Sequence, residues 1–196
     1  QWGVPFLDHF KFTDEYKNTF GVKYPNILIS ISQISETLFI LTIPFFLGRF
    51  GIKKVMLMSI TAWVLRFGLF GIGDPGGGLI LLVLSMIVYG MAFDFFNISG
   101  SLFVEREADK KIRASAQGLF MLMTNGVGAI IGSFVSGWVI QSHTDNNGTD
   151  WKTVWLLFAL YALALAVIFP FIFKYKHEAI TTDEMEKGEA IEMTPH

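Results

Sequence analysis

Two acidic side chains stand where the surrounding sequence leaves them no water. Glu36 lies in the middle of an uncharged apolar stretch from about 26 to 47, and Asp94 lies inside another from about 79 to 101. A charge at the centre of a membrane-spanning helix costs about 2.5–3.5 kcal/mol on insertion scales, so it is rarely kept without a use. Gln33 precedes Glu36 by one helical turn and shares its face, with Ser32 and Ser35 widening the polar region. Ile34, Leu38 and Leu41 fall on the opposite side and are expected to face lipid or packed helices. Around Asp94, at about 100° per residue, Gly90, Asp94, Asn97 and Ser101 form one polar stripe, and Tyr89, Phe93 and Phe96 form a second beside it. A carboxylate next to an aromatic wall suits a solute with a flat apolar ring and polar substituents. The ring stacks while the carboxylate and amides take hydrogen bonds.

Each of these residues also has a plainer role. Gln33 and Glu36 could be glue between helices, and the aromatics could be core. Ser or Gln would serve as glue at lower cost than Glu, which favours the binding reading. Arg66, inside the apolar run 55–72, either snorkels to the outer interface or pairs with Asp94 or Glu36. Gln117, Thr124 and Asn125 are weaker candidates for lining the same cavity. Low-dielectric surroundings disfavour the charged form of a carboxyl group. Two carboxyls facing a wet cavity are therefore candidate proton carriers, since the neutral form crosses an apolar barrier far more easily than the anion. A proton gradient could then drive solute movement, with no cofactor.

The elements that must position these residues are long apolar helices. Just over half the residues are hydrophobic (52%) and only 16% are charged, against roughly a quarter in soluble domains; mean hydropathy is +0.49. A spanning helix needs about 20 mostly apolar residues, and five windows qualify: roughly 26–47, 55–72, 79–101, 114–141 and 153–173. One set of connectors is basic, carrying Arg49, Lys53 and Lys54, then Arg106, Lys110, Lys111 and Arg113, then Lys174 and Lys176. The other set, 73–78 and 141–152, holds Asp74, Asp145 and Asp150 with Lys152 the only base. The two kinds alternate, and the positive-inside rule puts the basic set in the cytoplasm. The chain start, 1–25, is then an extracytoplasmic loop whose aromatics (Trp2, Phe6, Phe10, Phe12, Phe20) are expected at the outer interface. The acidic tail 176–196 is expected to be cytoplasmic and disordered. Asn147-Gly148-Thr149 is an outward-facing sequon. Gly128, Gly132 and Ser136, with Gly137 beside them, make a small-residue stripe that lets another helix approach closely. Pro44 and Pro170 are expected to bend or end their helices.

Several functions are excluded at this level. A net charge of -2 does not point to nucleic acid. With no cysteine there is no disulfide or thiol chemistry, and the four histidines form no ligand pair, so no metal is expected. The chain begins at Gln1 without the features of a signal peptide and reads as a piece of a longer protein.

Longer strings carry a resemblance. SISQISETLFILTIPFFLGRFGIKKVM (30–56), LVLSMIVYGMAFDFFNISGSLFVE (82–105) and IRASAQG (112–118) look like the nucleoside:proton symporter family of the major facilitator superfamily. GDP at 73–75 and FKYKH at 173–177 fit the same pattern, and FDFFNISG is a specific signature. The region 48–54 also resembles the degenerate superfamily loop that joins adjacent helices. The likeness covers nearly the whole chain from about residue 26. It implies an all-α membrane protein whose five helices are spans eight to twelve of a twelve-helix transporter, most of its C-terminal six-helix bundle. The N-terminal half, which would be this part's partner, and span seven would lie outside the chain. The family imports nucleosides with protons across the cell inner membrane by alternating access. The resemblance implies that Gln33 and Glu36 meet ribose hydroxyls and that Phe93 and Asp94 lie near the base or the proton path, with Tyr89 in the same site. The acidic tail departs from the shorter basic end such a protein would have.

Three alternatives remain at this stage. Another polar solute such as a sugar would fit the same residues. An integral-membrane enzyme would need metal clusters or a nucleophile with its base, and no histidine lies within a span. A channel would give flux without building a gradient.

Overall fold

The structure is a computed structural model that describes residues 3–12, 14–146 and 148–175. Trp2, the sequon's Asn147 and the tail 176–196 with His177 lie outside the described residues. Four helices are long and apolar enough to cross a membrane. They are α3 (Pro25–Ile72), α4 (Leu79–Glu107), the stretch Arg113–Ser142, and α7 (Trp151–Ile172). The third is α5 (Arg113–Met121), a π-helical segment (Leu122–Val127) and α6 (Gly128–Ser142) in succession. Short helices α1 (Gly3–His9) and α2 (Phe20–Lys23) precede them. A two-stranded hairpin, β1 (Thr144–Asp145) paired antiparallel with β2 (Gly148–Thr149), joins α6 to α7.

With 48 residues, α3 would be about 72 Å long if straight, more than twice the apolar thickness of a bilayer. It is not straight. Gly51 has φ 76° and ψ 165° and breaks the helix in two. Residues with a Cβ avoid that conformation, and glycine adopts it without penalty. The expected connector at 48–54 is thus a single glycine break with helix on both sides. The halves fold back along α4: Ser35 in the first donates to the Ile87 carbonyl, while Ser59 and Ser85 tie the second half to α4 through Ala92 and Arg66. The helices overrun the expected windows because the backbone ladder continues past the last apolar residue into the polar connectors.

Local signals set the ends. Pro25 opens α3 at its first turn, where a missing N–H costs nothing. Asp150 caps α7, its carboxylate accepting from the Thr153 N–H at 3.1 Å. The Thr153 side chain and backbone N–H together hold the Asp150 carboxyl below the ordinary carboxylate range. Pro170 sits two residues before the end of α7, and its carbonyl accepts from Lys53 Nζ at 2.9 Å.

Two apolar clusters hold the helices together. One, beside the Gly51 break, contains Ile43, Leu47, Ile52, Val55, Met56 and Phe95. The other joins Leu28, Phe70, Leu82, Met86, Trp151 and Trp155 to Phe6 and Leu7 of α1. This differs from the expectation for the chain start. Phe6 is only 2% exposed and makes edge contacts with Phe70, Trp151 and Trp155. It plugs the end of the bundle, because burial against three aromatics removes more apolar surface than an interfacial position would. Phe12 and Phe20 stay exposed.

The stretch Arg113–Ser142 is different, with no buried residue along it. It is tied to α4 near one end, where Ser101 Oγ donates to Gln117 Oε1 at 3.0 Å and Gln117 Nε2 donates to the Ser101 carbonyl at 2.8 Å. A Cβ added at Gly132 or Gly137 would meet nothing within 4 Å.

Candidate functional site

The first half of α3 and the middle of α4 meet at Gly90. A Cβ built there would come within 2.7 Å of the Glu36 N and of the Ser35 C and O. Only glycine permits this backbone-to-backbone approach, and it is what sets Glu36 beside the face of α4 that carries Tyr89 and Asp94. Ser35, buried, locks the crossing through its bond to the Ile87 carbonyl.

Around that contact lie Glu36, Tyr89, Phe93 and Asp94. Glu36 is half-buried, and its charge acts on Tyr89 across the helix crossing. Asp94 is 8% exposed, and its Oδ2 has no hydrogen-bond partner among the described residues. Glu36 lies near enough for its charge to act on Tyr89, Asp94 and Arg66. Tyr89 and Phe93 stack with ring centroids 5.9 Å apart and planes 27° from parallel. Phe93 remains 38% exposed, so the wall has a free face. Gln33 is exposed one turn from Glu36, while Ile34, Leu38 and Leu41 are exposed on the other side of the helix.

Arg66 takes a position of its own. It makes no ion pair within 4 Å among the described residues. Its guanidinium lies 4.0 Å from the centroid of the Tyr89 ring, with Phe70 at 5.5 Å and Trp63 at 5.8 Å. A half-buried contact of this kind is worth about 0.5–2 kcal/mol. Arg66 Nη1 reaches the Ser85 carbonyl at 3.4 Å, and Ser85 Oγ donates back to the Arg66 carbonyl at 3.0 Å.

Other candidates are not brought in. Phe96, expected in the wall, packs against the cluster around Phe95. Asn97 Nδ2 bonds back to the Phe93 carbonyl at 2.9 Å, and Thr124 Oγ1 bonds to the Phe120 carbonyl at 2.8 Å within its own helix. Asn125 is exposed on the π-helical segment and Gln117 is spent on Ser101. Sequence reasoning missed Trp63, which meets Tyr89 edge-on at 5.8 Å, and the buried serines Ser59 and Ser85. Their signal was available, since a lone Ser in an apolar span usually bonds a neighbouring helix.

The fold and this site together define a multi-pass helical membrane protein with ionisable groups at bilayer depth beside an aromatic face. A family model described as Nucleoside H+ symporter matches residues 2–178, and the chain belongs to that family. Among similar proteins, a xanthosine permease of Escherichia coli (strain K12) is 63% identical over 178 residues, covering 90% of this chain and 43% of the relative. The nucleoside permease NupG of the same organism is 59% identical over 182 residues, covering 92% and 44%. A crystal structure of nucleoside transporter NupG superposes with a TM-score of 0.84 at 60% identity, covering 89% of this chain and 43% of that one. The chain spans less than half the length of the relatives it matches.

Proposed function

We propose that the chain is the C-terminal part of a secondary transporter that imports nucleosides together with protons. The observation that carries this reading is the Gly90 crossing that sets Glu36 on the α4 face bearing Asp94 and the stacked Tyr89–Phe93 pair. A nucleoside has the matching parts: a flat base for the aromatic face, and ribose hydroxyls and base amides for carboxylate and amide oxygens. Gln33 and Glu36 take the ribose, and Phe93 and Asp94 the base. The printed functions of the similar permeases support the same solute class. Glu36 and Asp94 are the proton carriers, and the gradient is the energy source in place of any cofactor. A polytopic carrier of this family acts by rocking two helical parts about a midplane site. The partner part would be the N-terminal half, closing over the Tyr89–Phe93 face. In this reading the basic connectors are cytoplasmic, residues 1–25 are outside and 176–196 inside, and the membrane is the cell inner membrane.

The test is uptake of labelled uridine and adenosine by the full-length transporter, with and without a protonophore. Concentrative uptake that collapses with the protonophore is expected. Accumulation that ignores the protonophore would refute proton coupling, and no uptake of either nucleoside would refute the solute class. Glu36→Gln and Asp94→Asn should each abolish accumulation while the protein still inserts; unchanged accumulation in both contradicts their role.

A further inference from the structure

Arg66 is a guanidinium inside a spanning helix, and such a cation is expensive to keep there. No carboxylate among the described residues lies within ion-pair distance, so a local salt bridge does not explain it. It is held by the Ser85 carbonyl and lies over the Tyr89 ring, 4.0 Å from its centroid.

We propose that Arg66 is the positioning residue of the coupling site, fixing Tyr89 by stacking and supplying the positive charge that makes one proton enough to neutralise the Glu36–Asp94 pair. This rests on the transport reading above. With both carboxylates ionised and Arg66 charged, the group carries one negative charge. A single proton, taken from the outer side onto either carboxylate and released inside, brings it to zero with a neutral nucleoside bound. Without Arg66 the same pair needs two protons before the loaded site is uncharged. Neutrality matters because the site must reorient through a low-dielectric barrier.

The surroundings leave this count to few groups. The first half of α3 brings Glu36 to bear on Arg66, and α4 brings Tyr89; Asp94, five residues further along α4, acts on Tyr89 and feels Glu36. Between Lys152 and Lys174, α7 carries only Tyr161, which is exposed. Asp8, His9 and Lys11 belong to the chain start that packs at the Phe70–Trp151 end of the bundle, and Asp8 is paired with Lys11 at 2.6 Å. No acid or base lies between Arg113 and His143.

The experiment uses the full-length transporter in proteoliposomes under an imposed pH gradient, with labelled uridine. Wild type is compared with Arg66→Met and Arg66→Lys, and initial rates are recorded against outside pH together with uridine counterflow. For wild type, log rate should fall with a slope of about one per pH unit on the alkaline limb, and for Arg66→Met with a slope of about two. Arg66→Met should also accumulate at least roughly tenfold less uridine at neutral pH while counterflow persists. Arg66→Lys keeps the charge and loses the flat stacking surface. Its slope should stay near one and its KM should rise roughly three- to tenfold.

An Arg66→Met protein with the wild-type slope and accumulation overturns the inference. So does an inserted variant that has lost counterflow as well, which would make Arg66 part of the binding surface or of the fold. Should Arg66→Met fail to insert, Arg66→Lys decides: a raised KM with an unmoved slope supports the inference, and a wild-type KM overturns it. If the wild type itself shows no proton-dependent accumulation, the transport reading falls, an outcome separate from all of these.

Discussion

Replacing Gly90 with alanine perturbs the contact on which the site is built. The new Cβ would lie 2.7 Å from three backbone atoms of Ser35 and Glu36. Backbone cannot swing aside as a flexible side-chain tip can, so the first half of α3 and α4 must part by roughly 0.5–1 Å to restore ordinary packing distance. Overpacking of this kind costs about 1–3 kcal/mol. The same displacement moves Glu36 away from Tyr89 and stretches the Ser35 bond to the Ile87 carbonyl. Misplacement by about 1 Å can cost on the order of a hundredfold in a site that depends on orientation, so a loss of tenfold or more in nucleoside affinity is expected. The assay is nucleoside binding to purified full-length transporter by calorimetry, beside its thermal unfolding midpoint. Gly68→Ala is the control. It lies on α3, beyond the Gly51 break; a Cβ there meets nothing within 4 Å, and a glycine-to-alanine change in a helix is neutral or stabilising by about 0.5–1 kcal/mol. Wild-type affinity and stability in Gly90→Ala would refute the argument that the glycine crossing positions the carboxylates.

Tyr89→Ala and Phe93→Ala each remove one ring of the stacked pair, and each should weaken nucleoside binding about three- to tenfold. Equal affinity at equal expression would remove the aromatic wall from the site. Asp150→Ala removes the cap of α7 and should cost about 1 kcal/mol near neutral pH, read as a lower unfolding midpoint. Because the folded protein holds this carboxyl below its ordinary range, its contribution is present above about pH 3.9 and is lost as pH falls through the lower folded value. The gap between variant and wild type should therefore close in acid, and an equal gap at pH 7 and pH 3 would show that the cap is not acting through its charge.

Much of this protein is legible along the chain because a bilayer is a demanding solvent. Apolar windows of spanning length and the alternation of basic and acidic connectors need no tertiary information. The same pressure singles out Glu36, Arg66 and Asp94, since each is costly at its position whatever it touches. Helical period alone also put Asp94 beside Tyr89 and Phe93, and the structure stacks those two rings.

Tertiary structure decided which faces meet. Nothing local distinguishes Gly90, pressed onto the backbone of Ser35 and Glu36, from Gly132, which faces open space. Nor does period show that Phe6 would leave the interface to plug the bundle, or that Phe96 would turn away from the wall. Arg66 is the sharpest case: composition marked it as costly, yet its place on the Tyr89 ring depends on the Gly51 break folding the second half of α3 back along α4. The physical reason is common to all. Hydration sets the price of each residue at its own depth in the membrane, while contacts between helices far apart in sequence depend on packing, which no single segment encodes.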